Sequence, residues 1–210
     1  MMISKENIYV CKGDISEEDV KRIKIECEYI GIDTETTGLS SLTNNLSLVQ
    51  IAAEGKYYIV QIDNQIRPDN LVKVFETSGL KKVFHHAPFD LSFIMQHLKI
   101  ETINNVICTK IAYKLINGLG VKSSLEDLTR ECLNISLDKS QRMSDWSKST
   151  LNSNQIQYAL NDVRYLVVLW KILEQQLIKL NMIVTAKKCF EFLPTQAYLK
   201  NKGVEDIFKY

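Results

Sequence analysis

Between residues 28 and 62 the chain packs three strand-forming runs: EYIGID (28–33), LSLVQIAA (46–53) and KYYIVQI (56–62). The stretch TETTGLSS follows the first run, and Glu54-Gly55 joins the second to the third. Runs rich in apolar, β-branched and aromatic residues, bounded by Gly, Thr and Ser, are strand signals, and strands joined by short turns pair antiparallel. The expected product is a meander over 28–62 that makes half a sheet. No helical bundle accommodates it.

The alternation then changes. A helix is predicted over 69–78 after Pro68, a short strand over KKVFHH (81–86), and a helix opened by Pro88 and running to about His97. Another strand at 103–108 leads into a helix through Leu115, and from Ser124 onward the pattern is mainly helical. Ser124 and Asp127 have the spacing of a capping box in its acidic form. Ile156, Leu160, Val163, Val167 and Trp170, spaced three or four apart, predict one long helix from about Ser153 to Lys179, with Trp170 in the core. The fold class is therefore α/β: a mixed sheet, antiparallel meander plus parallel strands, flanked by helices, with a mainly helical C-terminal part. No repeat, low-complexity tract or Gly/Ser linker divides residues 1–210, so a single domain is expected.

Charge narrows the classes of partner. Lys+Arg total 26 against Asp+Glu 25, a net charge of +1. Clamping long nucleic acid draws on a clear basic excess, because phosphate neutralisation supplies the affinity. The balance instead fits a local basic patch around a cleft, or a ligand with few phosphates. Cys11, Cys27, Cys108, Cys132 and Cys189 are odd in number and never spaced C-x-x-C, so neither a disulfide framework nor a zinc site is expected. Free thiols fit a reducing cytosol. MMISKENIYV has no long apolar stretch and no later segment resembles a membrane span, so the expectation is a cytoplasmic protein without a membrane partner.

Three groups of acids bear on chemistry. Asp33 and Glu35 end the first strand, and residues i and i+2 of a strand share one face. Two carboxylates held so close repel, and Mg²⁺ or Mn²⁺, which prefer oxygen ligands, resolve that repulsion. For a bare D-x-E, a common triplet, an exposed acidic turn is the better explanation. Gly38 can supply the turn, and Leu39 offers an apolar surface for a base or sugar. Asp90, in FHHAPFDL, lies in the first turn of a helix, where the macrodipole favours an acid on structural grounds alone. Tyr158 and Asp162, four apart, share a helix face away from the centre of the apolar stripe, and an i,i+4 hydrogen bond would account for them singly.

Taken in order, D-x-E on a strand, an acid opening a helix, then Y-x-x-x-D in a long helix, the chain resembles the DEDD exonuclease superfamily. IDTETTGL, FHHAPFDL and YALNDVRYL match the three motifs of the subgroup that carries a tyrosine in the third. LDKSQRMSDWS and CFEFLPTQAYLK are similar to short, single-domain ribonuclease D proteins, and GDIS and VICTKIAYKL to the nano-RNase C branch, which acts on very short RNA, notably dinucleotides. His85-His86 departs from the His-Asn of many members and leaves one substrate contact open.

The resemblance implies a ribonuclease H-like sheet and a metal-dependent 3′→5′ exonuclease using two divalent cations, Mg²⁺ or Mn²⁺. It implies that Asp33, Glu35 and Asp162 bind the first cation, that Asp33 bridges to the second, and that Asp90 contributes directly or through water. Tyr158 would orient the attacking water, and the product would be a nucleoside 5′-monophosphate. Leu39, His85, Lys139 and Gln141 are candidate substrate contacts, the last three with a structural alternative: a satisfied histidine for His85, a solvated loop for Lys139 and Gln141. Trp146 fits the core better than a stacked base. The expected partner is RNA or a short oligoribonucleotide, with DNA and a non-catalytic RNA-binding role as the competing readings. A homo-oligomer is expected by resemblance.

Overall fold

A computed structural model describes residues 7–138 and 140–208. It begins with two elements that the sequence reading did not predict, β1 (Ile8–Lys12) and α1 (Glu17–Glu26). Helix α1 is capped by the Ser16 side chain, which accepts from the Asp19 amide. The expected meander follows as β2 (Tyr29–Thr36), β3 (Leu46–Ala53) and β4 (Lys56–Gln61). Glu54 and Gly55 join the last two with φ of 44° and 79°. Two consecutive positive φ values define the tight hairpin turn whose twist matches the flanking strands, and glycine takes the second position without a Cβ clash.

Helix α2 (Asp69–Glu76), β5 (Lys81–Phe84), α3 (Ala87–Leu98), β6 (Val106–Cys108), α4 (Thr109–Asn117) and α5 (Leu125–Leu133) come next. The Ser124/Asp127 box caps α5 as the spacing predicts. The described residues between 134 and 152 are not helical, contrary to the mainly helical expectation there. The predicted long helix is two, α6 (Ser153–Arg164) and α7 (Leu166–Lys179), followed by α8 (Ile183–Asn201). At the break the Tyr165 amide bonds the Val163 carbonyl instead of one four residues back.

The sheet runs β1-β4-β3-β2-β5-β6, so β2 lies inside it. Strand β2 pairs antiparallel with β3 and parallel with β5, and β5 with β6 and β1 with β4 are parallel. The mixed, ribonuclease H-like architecture matches the expectation. The main core holds Ile30, Ile32, Val83, Phe93, Leu166 and Trp170, all buried. A smaller cluster under α6 joins Leu48, Ile59, Trp146, Leu151, Ala159 and Leu160. Among the described residues no helix is long and apolar enough to cross a membrane.

Helix α6 rests directly on β2. A Cβ built on Gly31 would lie 2.7 Å from the Val163 carbonyl oxygen and 3.2 Å from Leu166 Cβ. Glycine at this strand position is what lets the helix backbone come so close.

Candidate active site

Asp33 and Glu35 project from the last half of β2, opposite Gln50 and Leu48 of β3. The register shifts between Glu35 and Thr36, so regular pairing ends just past the second acid. The chain then turns through 37–45, a loop closed by the Thr37 amide on the Asn45 carbonyl (3.0 Å) and the Asn45 amide on Thr37 Oγ1 (2.9 Å). Leu39 stands at its tip, 82% exposed.

Two helices bring the remaining acids to this strand. Helix α3 starts at Ala87-Pro88 and carries Asp90 on its first turn, almost wholly buried. Asp90 Oδ1 accepts from Thr34 Oγ1 at 2.7 Å. Alternation turns Thr34 away from the face that carries Asp33 and Glu35. Helix α6, with an Asn152/Gln155 capping box, delivers Tyr158 and Asp162 one turn apart. The Tyr158 ring is braced by Trp146, centroids 5.8 Å apart and tilted by 40°. Asp33, Glu35 and Asp162 each offer an oxygen, all within 4.8 Å of one another.

Such a cluster is electrostatically unfavourable by itself. Burial, then the charges of Asp90, Asp162 and Glu35, holds Asp33 well above the usual carboxylate range. Burial foremost raises Glu35 to about 9, with Asp162 and Asp90 adding to it. Asp90 and Asp162 are each pushed up to about 7, again mainly by burial, while the Thr34 and Tyr158 hydroxyls pull the other way. Burial and the same carboxylates raise the Tyr158 phenol as well. Converging oxygens and suppressed ionisation are what a divalent-cation site looks like without its charge, since the ion reverses both the repulsion and the pKa shifts. An all-oxygen donor set of this size suits Mg²⁺ or Mn²⁺. A concavity of about 690 Å³ at the sheet's β6 edge, lined by Tyr29, Lys81, Trp170 and Lys187, lies at the other end of β2 from these acids.

A family profile described as 3′-5′ exonuclease matches residues 10–178, which includes all four carboxylates and Tyr158. The chain belongs to the 3′-5′ exonuclease family. Within that family it is similar to ribonuclease D of Desulfotalea psychrophila, 28% identical over 216 residues, covering 98% of this chain and 57% of the relative. The chain spans about half the length of the curated ribonuclease D relatives it matches. Among solved structures, Brucella melitensis NrnC bound to pGG is similar at 33% identity and TM-score 0.88, covering 97% of this chain and 98% of that one. NrnC with bound Mg²⁺ is similar at 32% identity and TM-score 0.88, covering 97% and 99%.

The other predicted residues of this exonuclease domain divide. Leu39 is exposed in the loop that follows the carboxylates' strand. His85 is not directed at a ligand: it is buried, with Nδ1 on Thr109 Oγ1 (3.0 Å) and Nε2 on the Ser123 carbonyl (2.9 Å). Burial lowers it to about 3, so it stays neutral and joins β5 to α4 and the segment before α5. The expected phosphate or sugar contact is replaced by its structural alternative. Gln141 is half-buried in the turn before Trp146, its amide nitrogen 3.4 Å from Ser140 Oγ. Lys139 lies outside the described residues. Trp146 and Trp170 are core residues, as expected.

Three residues of the site were not foreseen. Thr34 holds Asp90, and its only sequence signal is its position between two acids. Gln50, fully buried, has no hydrogen-bond partner for either Nε2 or Oε1, and an unpaired buried polar group costs about 1–3 kcal/mol. Asn201, the last residue of α8, accepts from Ser41 Oγ (2.7 Å) and donates to the Ser92 carbonyl (2.9 Å), tying the Leu39 loop to α3. His97 adds a second tie to the Asn44 carbonyl at 2.9 Å. Asn201→Ala is expected to speed amide exchange across 37–45, while the melting temperature falls by only a few degrees, about 1 kcal/mol per lost bond. Exchange measured by mass spectrometry checks this; an unchanged 37–45 would mean the loop stands without the tie.

Proposed function

We propose that this exonuclease domain is an exoribonuclease that hydrolyses short RNA from its 3′ end to nucleoside 5′-monophosphates, with dinucleotides among its substrates. The observation that carries the reading is the convergence of Asp33, Glu35 and Asp162 oxygens within 4.8 Å, beside buried Asp90 and half-buried Tyr158. Asp33, Glu35 and Asp162 would hold one divalent cation, and Asp33 with Asp90 a second, Mg²⁺ or Mn²⁺. When bound, such ions lower the pKa of a water and stabilise the charge that develops on the leaving 3′ oxygen.

The protein's own contribution is positional. A phenol, with an ordinary pKa of about 10, keeps its proton at neutral pH, so the Tyr158 hydroxyl orients the attacking water instead of deprotonating it. Trp146 fixes the ring. Leu39 supplies an apolar surface for the 3′-terminal base, and Gln141 and Lys139 lie in the segment that would meet the rest of a short strand. A near-balanced charge of +1 supports a ligand with few phosphates. The similarity to NrnC bound to pGG supports a very short oligoribonucleotide.

We further assign residues 1–210 to one domain, the cytoplasm as its compartment, in keeping with five unpaired cysteines, and a homo-oligomer as its assembly. Light scattering tests the last, and a strict monomer would reject it. The substrate test uses 5′-labelled RNA from two to twenty nucleotides, with a matched DNA series, in Mg²⁺ or Mn²⁺. Rapid cleavage confined to the shortest RNA is expected. Even stepwise shortening of long RNA would refute the short-substrate reading, and equal cleavage of DNA the RNA reading.

A further inference from the structure

We propose that Gln50 is a positioning residue for Asp33: its side-chain amide, unpaired in this structure, turns to donate to the Asp33 carboxylate once divalent cations draw that carboxylate into its ligating orientation. The inference rests on the cation-binding reading above and adds a residue to it. Gln50 and Asp33 are direct cross-strand partners in the β3–β2 ladder. Such partners point to the same face with Cβ atoms about 5 Å apart, within the reach of a glutamine.

The surroundings leave the amide few other uses. Along β3 its same-face neighbours are Leu48 and Ala52; across the ladder on β4 it faces Ile59, and Ala159 and Leu160 of α6 join Leu48 and Ile59 in one apolar cluster. On β2 the flanking residues of that face are Gly31, which has no side chain, and Glu35. The acceptors that the sheet offers Gln50 are therefore the site's own carboxylates.

A leucine or methionine would fill this position without stranding two polar atoms, so packing alone does not account for a glutamine. A lysine or arginine could donate too, but its charge would neutralise the acids and compete with the cations. An amide donates while leaving the negative charge intact. Carboxylates that ligate metals are themselves hydrogen-bonded, and removing that support weakens metal affinity or activity about 10- to 100-fold. Asp90 has such a partner in Thr34, and Asp162 in Tyr158. Gln50 would complete the set for Asp33.

The test compares wild-type protein with Gln50→Met and Gln50→Asn, measuring Mn²⁺ affinity by calorimetry and melting temperature in chelator. Gln50→Met keeps the volume without the amide; Gln50→Asn keeps the amide but shortens its reach. Both are expected to bind Mn²⁺ about tenfold or more weakly. In chelator Gln50→Met melts at or above the wild-type temperature, because no native bond is lost. Wild-type Mn²⁺ affinity in either folded variant overturns the proposal and makes Gln50 a filler. Wild-type protein that binds no Mn²⁺ overturns the cation-binding reading, and this one with it.

Discussion

Asp162→Asn protein is expected to fold, to melt at a higher temperature than wild type in chelator, and to release nucleotide about a thousandfold more slowly in Mg²⁺ or Mn²⁺. The rate loss follows from removing one charged ligand from a site that supplies several kcal/mol of charge stabilisation, each 1.36 kcal/mol being worth about tenfold. The stability gain follows from the same carboxylates without cations. A carboxyl whose folded pKa is raised binds protons more tightly in the folded state, so stability falls as pH rises from the unfolded pKa to the folded one. Asp162 and Asp90, raised to about 7, and Glu35, raised to about 9, therefore destabilise the cation-free protein progressively above pH 4. Asp162→Asn removes one source of that slope. Mg²⁺ or Mn²⁺ should raise the wild-type melting temperature at pH 7 and raise that of the variant much less. Asp33→Asn should behave alike. Wild-type turnover in either variant would reject the metal site.

Gly31→Ala is the second large effect, and it acts through backbone. The added methyl would stand 2.7 Å from the Val163 carbonyl oxygen, closer than real Cβ contacts come, and the obstacle is no flexible side-chain tip. Helix α6 must lift at the end that carries Asp162. Overpacking of this kind costs about 1–3 kcal/mol, or a few degrees of melting temperature in a chain of this length. Displacing a ligand by about 1 Å costs about a hundredfold in rate. Gly79→Ala is the control: nothing lies within 4 Å of its added methyl. A Gly31→Ala enzyme as active as Gly79→Ala would show that α6 has room to spare.

The parts of this fold that were legible are those whose signal is local. The meander announces itself in three apolar runs, and the acids in strand and helix positions. Strand β1 and helix α1 did not: β1 is an edge strand with mixed burial, and α1 buries only Val20 and Ile23. The Ser16–Asp19 spacing that caps α1 is the same signal that revealed α5. The break at Tyr165 is invisible because Leu160, Val163, Val167 and Trp170 keep their helical spacing straight through it. Gln50 is hidden in an apolar run, and Asn201 meets Ser41 across 160 positions, a separation that no periodicity reports. For His85, the motif match pointed to substrate, and the hydrogen bonds to Thr109 and Ser123 point inward.

Strand β2 works with both of its faces. Asp33 and Glu35 look toward α6, while Thr34 between them grips Asp90 of α3. The tripeptide is thus a rivet through the sheet, fastening the helical layer on each of its faces. Sliding either layer by a fraction of a helical turn would pull one acid out of alignment with the others.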